Sequence, residues 1–324
     1  MFAKTKSVED FYLKVSMLPL DFEEFLYANG MNEIVKSSMR KKFERLEALD
    51  EAMHNKMMDL FRKYLIVGGL SEAINSYIAE KNIHLVREIQ QEIHEYYSAD
   101  ASKYDGERKL MIRRVYDLIP SNMENKKKRM IIKEVENKRG KTFLDYNNEF
   151  EYLVGAGIAL QVQAISNPVF PLMESVGKNL LKLYLHDVGI LTGILYKNNI
   201  RAVLDDEKSI NLGSVYETVV ASELIAHGHR LFYYDNRNKG EVDFLIDDYE
   251  SLSVVPIEVK SGKDYTVHSA LNNFVKNEDY HIKKAFVLSN EREVKTKGKI
   301  IYIPIYYIMF FDTNTVNNKE NNLL

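Results

Sequence analysis

From Leu20 to Lys128 apolar residues recur at steps of three and four with charge between them, the spacing of amphipathic helices. Asp21 can cap a first helix through Tyr27, and Gly30 can end it. A second stretch, Met39 to Ile66, carries Phe43, Leu46, Leu49, Met53, Met57, Leu60, Phe61 and Tyr64 before Gly68-Gly69 breaks it. Ser71 with Glu72 opens the next helix. Asn82 can cap a longer one carrying Leu85, Val86, Ile89, Ile93 and Tyr97. Arg108 to Ile119 is a further helix, stopped by Pro120. Such stripes make a helical bundle core.

Tyr146 to Val154 reads as helix, and Gly155 and Gly157 break the chain after it. Ile158–Ile165 and Leu180–Leu185 read as two strands joined by a loop with Pro168 and Pro171. Helix, helix, hairpin is the order of a winged-helix-like module. From Asn211 the period changes. Val215–Ala226 is an amphipathic helix closed by Gly228. Strands follow at Leu231–Tyr234, Glu241–Ile246, Leu252–Lys260 and Lys284–Leu288, with a helix, Val267–Lys276, between the last two and a fifth strand at Ile300–Pro304. The Asn-rich end after Asp312 reads as a disordered tail, and no internal repeat is visible.

The length, 324 residues, calls for two or three domains. We expect an N-terminal piece over 1–20, a helical domain over 21–123, a winged-helix-like module over 124–198, an α/β domain over 199–311 and a tail over 312–324. There is no cysteine, which excludes disulfides, thiolate metal sites and cysteine nucleophiles and fits a reducing cytoplasm. Met1 to Asp10 has no apolar core and is not a signal peptide. Ile300–Phe311, the longest apolar run, is interrupted by Pro304 and too short to span a bilayer, so no membrane association is expected. A net charge of −3 means that any nucleic-acid role must rest on local patches.

One such patch exists. Glu124 to Lys141 holds Lys126, Lys127, Lys128, Arg129, Lys133, Lys138, Arg139 and Lys141 against three acids. Lys126, Lys127, Lys128, Arg129, Lys138 and Arg139 are the candidate DNA-phosphate contacts. The competing reading is a solvated basic face.

The richest chemistry lies in Gly240-Glu241-Val242-Asp243-Phe244 and Ile257-Glu258-Val259-Lys260-Ser261-Gly262. Side chains alternate across a strand, so Glu258 and Lys260 share one side. Val242 and Phe244 point away from Asp243, as Ile257 and Val259 point away from Glu258. A face carrying Asp243, Glu258 and Lys260 suits a hard divalent cation held by carboxylate oxygens, Mg²⁺ or Mn²⁺. Lys260 then orients water or neutralises phosphate charge. Glu217, on the preceding helix, completes the ligand set of Glu217, Asp243 and Glu258. Pro256 inside the second strand lacks a ladder donor and predicts an edge or a bulge there.

Glu217, the Gly240–Phe244 run and the Glu258–Gly262 run resemble the nuclease-like C-terminal region of a large group of bacterial and archaeal AAA-type ATPases. Met17-Leu18-Pro19-Leu20-Asp21-Phe22 resembles the junction after the ATPase core. Tyr64–Leu70 and Lys182-Leu183-Tyr184-Leu185-His186-Asp187-Val188-Gly189 resemble further segments. The resemblance spans about Met17 to Pro304. It implies a restriction-endonuclease-like, PD-(D/E)XK-type α/β domain with Asp243, Glu258 and Lys260 as catalytic residues. The family's P-loop is missing, because no Gly-x-x-x-x-Gly-Lys-Ser/Thr occurs anywhere. No nucleotide site is therefore expected, and the chain looks like a family protein that begins where the ATPase ends. The leading expectation is a Mg²⁺-dependent nuclease or DNA-binding protein. The alternative is a non-catalytic scaffold acting with a P-loop ATPase in trans or by self-association. His227 and His229, around Gly228, read as a helix C-cap, and His186-Asp187 as structural.

Overall fold

The computed structural model describes residues 17–100, 106–125, 127–138, 140–205, 210, 212–262 and 265–313. Most of the N-terminal piece and of the tail expected from sequence, together with Lys126 and Arg139, lie outside the described residues. Mixed α and β elements build the molecule, as expected. The helical part runs α1 (Phe22–Ala28), α2 (Glu33–Glu44), α3 (Glu51–Val67), α4 (Ser71–Glu80), α5 (Ile83–Asp100) and α6 (Gly106–Glu124). The short α7 (Ile132–Val135) and α8 (Asn147–Gly155) lead to the first strand. Asp21 caps α1 in a reciprocal capping box with Glu24.

Two helix expectations change. The stretch from Met39 to Ile66 is two helices, because Leu46 adopts φ +55° and Asp50 caps a new start by accepting from the Met53 amide at 2.9 Å. Pro120 does not stop its helix; α6 continues through it to Glu124. The apolar positions on both sides, Val115, Tyr116, Ile119 and Met123, are buried, so packing outweighs one lost backbone donor.

The strands β1 (Ala159–Ile165), β2 (Val176–Leu185), β3 (Phe232–Asn236), β4 (Gly240–Asp248), β5 (Ser253–Val259), β6 (Ala285–Ser289), β7 (Lys295–Lys297) and β8 (Ile300–Pro304) form one sheet. Its order is β2-β1-β3-β4-β5-β6-β8-β7. The hairpin expected to belong to a winged-helix-like module, β1 with β2, is antiparallel. It is also continuous with the later strands, since β1 pairs in parallel with β3. The sheet therefore runs across the expected boundary at residue 198. Helices α9 (Val188–Tyr196), α10 (Ile200–Leu204) and α11 (Gly213–Ala226) lie between β2 and β3, and α12 (Ser269–Lys276) between β5 and β6.

Two apolar cores flank the sheet. One joins the helical part and α11 to Phe244, Ile246, Val255, Ile257 and Val259. The other joins α12 to Val242, Leu245 and Val254. Pro256 sits in an interior strand with unbroken register against β4, so neither a bulge nor a sheet edge is found there. Pairing with β6 begins only at Ile257, so Pro256 has a strand partner on one side alone. Among the described residues no helix is long and apolar enough to cross a membrane.

Candidate functional site

The register between β3 and β4 slips between Phe232 and Tyr234, whose partners are Leu245 and Val242. One extra residue on β4 is a bulge at Asp243-Phe244. It changes the expected facing. Val242 packs into the core under α12, but Phe244 packs into the core under α11. Asp243 and Phe244 thus point to the same side, toward α11. Glu258 lies between Ile257 and Val259, both in the α11 core, so alternation turns its side chain to the opposite face. The expected single acidic face is therefore split by the bulge.

Asp243 and Glu217 meet in a cleft of about 430 Å³ lined by Lys128, Gly213, Glu217, Asp243, Val259, Lys260, Ser261, Gly262 and Val267. Glu217 stands on the first turns of α11 with its side chain almost wholly buried. One of its oxygens accepts from the Lys128 ammonium and the other from the Tyr184 hydroxyl at 3.0 Å. Asp243 accepts from the Val259 amide at 2.9 Å, which ties the bulge to β5. Lys260 donates to Glu258 Oε1 at 2.8 Å, while Glu258 Oε2 is buried without a hydrogen-bond partner. Lys182, fully buried on β2, lies 2.5 Å from Glu241 and 4.8 Å from the Tyr233 ring centre.

The electrostatics follow from this crowding. Burial pushes the Asp243 carboxyl up, and the charge of Glu217 adds to it, against Lys182 and Lys128. Burial and Asp243 push Glu258 up to about 8, against the pull of Lys260. Glu217 goes the other way. Burial opposes its charge, but Lys128 and Lys182, with the Tyr184 hydroxyl, hold it below the usual glutamate range. For Lys128 and Lys182 burial favours loss of the proton, yet the surrounding carboxylates raise both ammonium groups.

Among the described residues no three His, Cys, Asp or Glu side chains are gathered as a metal-ligand group. The expected trio of Glu217, Asp243 and Glu258 is held apart. Lys128 and Tyr184 take Glu217, and Glu258 belongs to the other face. The donors that remain still suit a hard divalent cation. Two carboxylates face one open cleft, one of them already neutralised by a cationic side chain.

Of the described candidates in the basic stretch, Lys128 is mostly buried while Lys127 and Lys138 stay exposed. Lys127 and Arg129 both pair with Asp235, each at 3.0 Å, and Lys128 pairs with Glu217. Lys138 pairs with Glu136. The four described candidates for DNA-phosphate contacts therefore all have internal carboxylate partners.

Sequence reading missed Lys182, Tyr184 and Glu241 as site residues. The available signal was a lysine inside the buried run Leu181–Leu185, a place where an unpaired lysine is almost never found. His227 faces Asp21 and Asp312, and His186 contacts Tyr97, so neither joins the cleft.

Fold and cleft define a mixed α+β protein with a carboxylate and lysine cluster at one sheet end. Residues 58–200 match the model of a domain of unknown function, DUF8612, and residues 212–308 match that of another, DUF4143. DUF4143 is a domain found at the C-termini of AAA-ATPase-associated proteins. No curated protein and no solved structure matches the chain.

Proposed function

We propose that the cleft is a nuclease-like site taking one divalent cation, Mg²⁺ or Mn²⁺, on Asp243 and Glu217, in a protein that acts on DNA alongside a separate P-loop ATPase. The observation that carries this reading is that Asp243, Glu217 and Lys260 line one open cleft. When bound, the cation supplies Lewis acidity toward a phosphodiester oxygen. Asp243 and Glu217 provide hard oxygen donors. Lys260 lines the cleft with a mobile point charge able to hold a phosphate oxygen or orient a water. Tyr184 and Val259 fix the orientation of the two carboxylates.

The test is calorimetric titration of Mn²⁺ into the wild type and Asp243→Ala. The wild type is expected to bind and the variant to lose binding. Equal binding by both would remove Asp243 from the site. DNA cleavage dependent on Mn²⁺ should then vanish in Asp243→Ala and Lys260→Ala.

A second reading is a non-catalytic DNA-binding or interaction scaffold that acts with the ATPase or by self-association. It is favoured by the ion pair of Lys128 with Glu217, which neutralises one cleft carboxylate from within the chain. A scaffold shows no Mn²⁺ binding in the wild type and no cleavage. If it binds DNA, its affinity still falls steeply with salt.

A further inference from the structure

The loop between α6 and α7 carries Lys128 in the left-handed region, φ +46°, where a lysine is uncommon. This backbone turn sends the ammonium into the cleft, where it rests on Glu217. The side chain is 17% exposed and that of Glu217 only 3%. The flanking residues anchor the loop. Lys127 and Arg129 converge on Asp235, a buried residue of β3, the strand next to β4. Upstream, Ser214 at the start of α11 donates to Glu124 at the end of α6. Three cationic residues in a row thus reach two carboxylates on different elements, and the middle one enters the acidic cleft itself.

An ammonium on a buried carboxylate occupies the place that a metal ion bound there must take. Both need the same Glu217 oxygen, and two cations side by side on one buried carboxylate repel strongly. We infer that Lys128 is the specificity-determining residue of the cleft: it is an internal counter-ion that excludes a divalent cation from Glu217, so metal enters fully only when the segment Lys127–Arg129 withdraws. This rests on the reading of the cleft as a divalent-cation site. The loop withdraws when another anion takes its charges, and the phosphates of a bound DNA strand are anions of the right kind for two lysines and an arginine in a row.

The experiment is Mn²⁺ titration of the full chain as wild type, Lys128→Met and Lys128→Arg, with melting temperature followed for each. Methionine keeps the length and removes the charge; arginine keeps the charge. Lys128→Met is expected to bind Mn²⁺ at least about tenfold tighter than the wild type, and Lys128→Arg to bind like the wild type. Equal affinity in wild type and Lys128→Met overturns the counter-ion role and leaves the cation site standing. Absence of Mn²⁺ binding in both overturns the two together. If Lys128→Met does not fold, the double variant Lys127→Ala/Arg129→Ala frees the loop while keeping every cleft carboxylate. Its Mn²⁺ affinity must rise if Lys128 is held in place by Asp235, and an unchanged affinity rejects the proposal.

Discussion

Two of the places where the described residues bury charge are built differently. Near the turn between α3 and α4, Asp187 is fully enclosed. Its carboxylate accepts from the Gly69 amide at 2.7 Å and caps α9 through the Ile190 amide at 3.0 Å. Beside it Arg87 donates to the carbonyls of Ile66 and Gly189, to Thr192 and to Gln90. Side chains there bind backbone, and backbone is close-packed. A Cβ on Gly69 would lie 2.1 Å from the Leu20 carbonyl oxygen, and one on Gly189 2.3 Å from the Gln90 amide nitrogen. In the cleft, most of the charges bind other side chains around open space. The first arrangement ties helices together. The second balances charge while leaving room for something to enter.

The largest effect belongs to the first cluster. Asp187→Ala removes two charge-assisted bonds to buried amides, one of them the cap of α9, and we expect a loss of about 3 kcal/mol. Urea unfolding measures it. Mn²⁺ affinity in the folded fraction should stay unchanged, because Asp187 is not among the residues that line the cleft. A loss below about 1 kcal/mol would mean that the knot is not what holds α9 to α3.

Glu223 sharpens the contrast. It is fully buried on α11, one oxygen accepts from the Phe22 amide at 2.6 Å, and the other has no hydrogen-bond partner. Burial, together with Asp21, pushes it up to about 8, against the pull of His227. The folded protein therefore holds a proton that the unfolded chain releases near 4.5, the ordinary glutamate value. Stability from this group is full below about pH 4.5 and is lost as pH rises through about 8. Thermal melts across that window should show the wild type declining more steeply than Glu223→Gln, with the variant gaining on it toward high pH. Parallel curves would show Glu223 ionised in the fold.

In the cleft, Asp243→Asn should barely change stability, within about 1 kcal/mol, with any change in the stabilising direction. Asparagine keeps an acceptor for the Val259 amide and removes a charge repelled by Glu217. The same change should abolish Mn²⁺ binding. A loss above about 2 kcal/mol in urea would make this cluster a structural tie like that of Asp187.

These differences were only partly visible in the sequence. The period-two runs located β3 to β6 and β8, and the helical stripe located α11, because one face of each element must be apolar. The residues of the cleft were also legible, in that Glu217, Asp243 and Lys260 do meet. What hid was the facing. A bulge of one residue at Asp243 leaves no mark in an alternating pattern, yet it turns Asp243 to the face opposite Glu258. The ion pairs of Lys127, Lys128 and Arg129 with Asp235 and Glu217, over a hundred and nearly ninety residues away, were hidden because they are set by tertiary packing alone. For the same reason the β1–β2 hairpin looked like a separate module, since its parallel partner β3 comes three helices later.

The smallest effect probes the loop itself. The Lys127 side chain is 49% exposed and shares Asp235 with Arg129, whose side chain is 35% exposed. Solvent weakens the first pair, and Asp235 keeps a cation when Lys127 is lost. Lys127→Ala should therefore cost less than about 0.5 kcal/mol. Arg129→Ala should cost more, since its planar fork loses less freedom on pairing than a lysine chain does. A double-mutant cycle between Lys127 and Asp235 measures the coupling directly. Coupling under about 0.5 kcal/mol describes a loop resting lightly on Asp235, able to lift and take Lys128 with it. Coupling above about 2 kcal/mol describes a loop fixed in place, and then the cleft is closed by the same kind of tie that Asp187 makes between its helices.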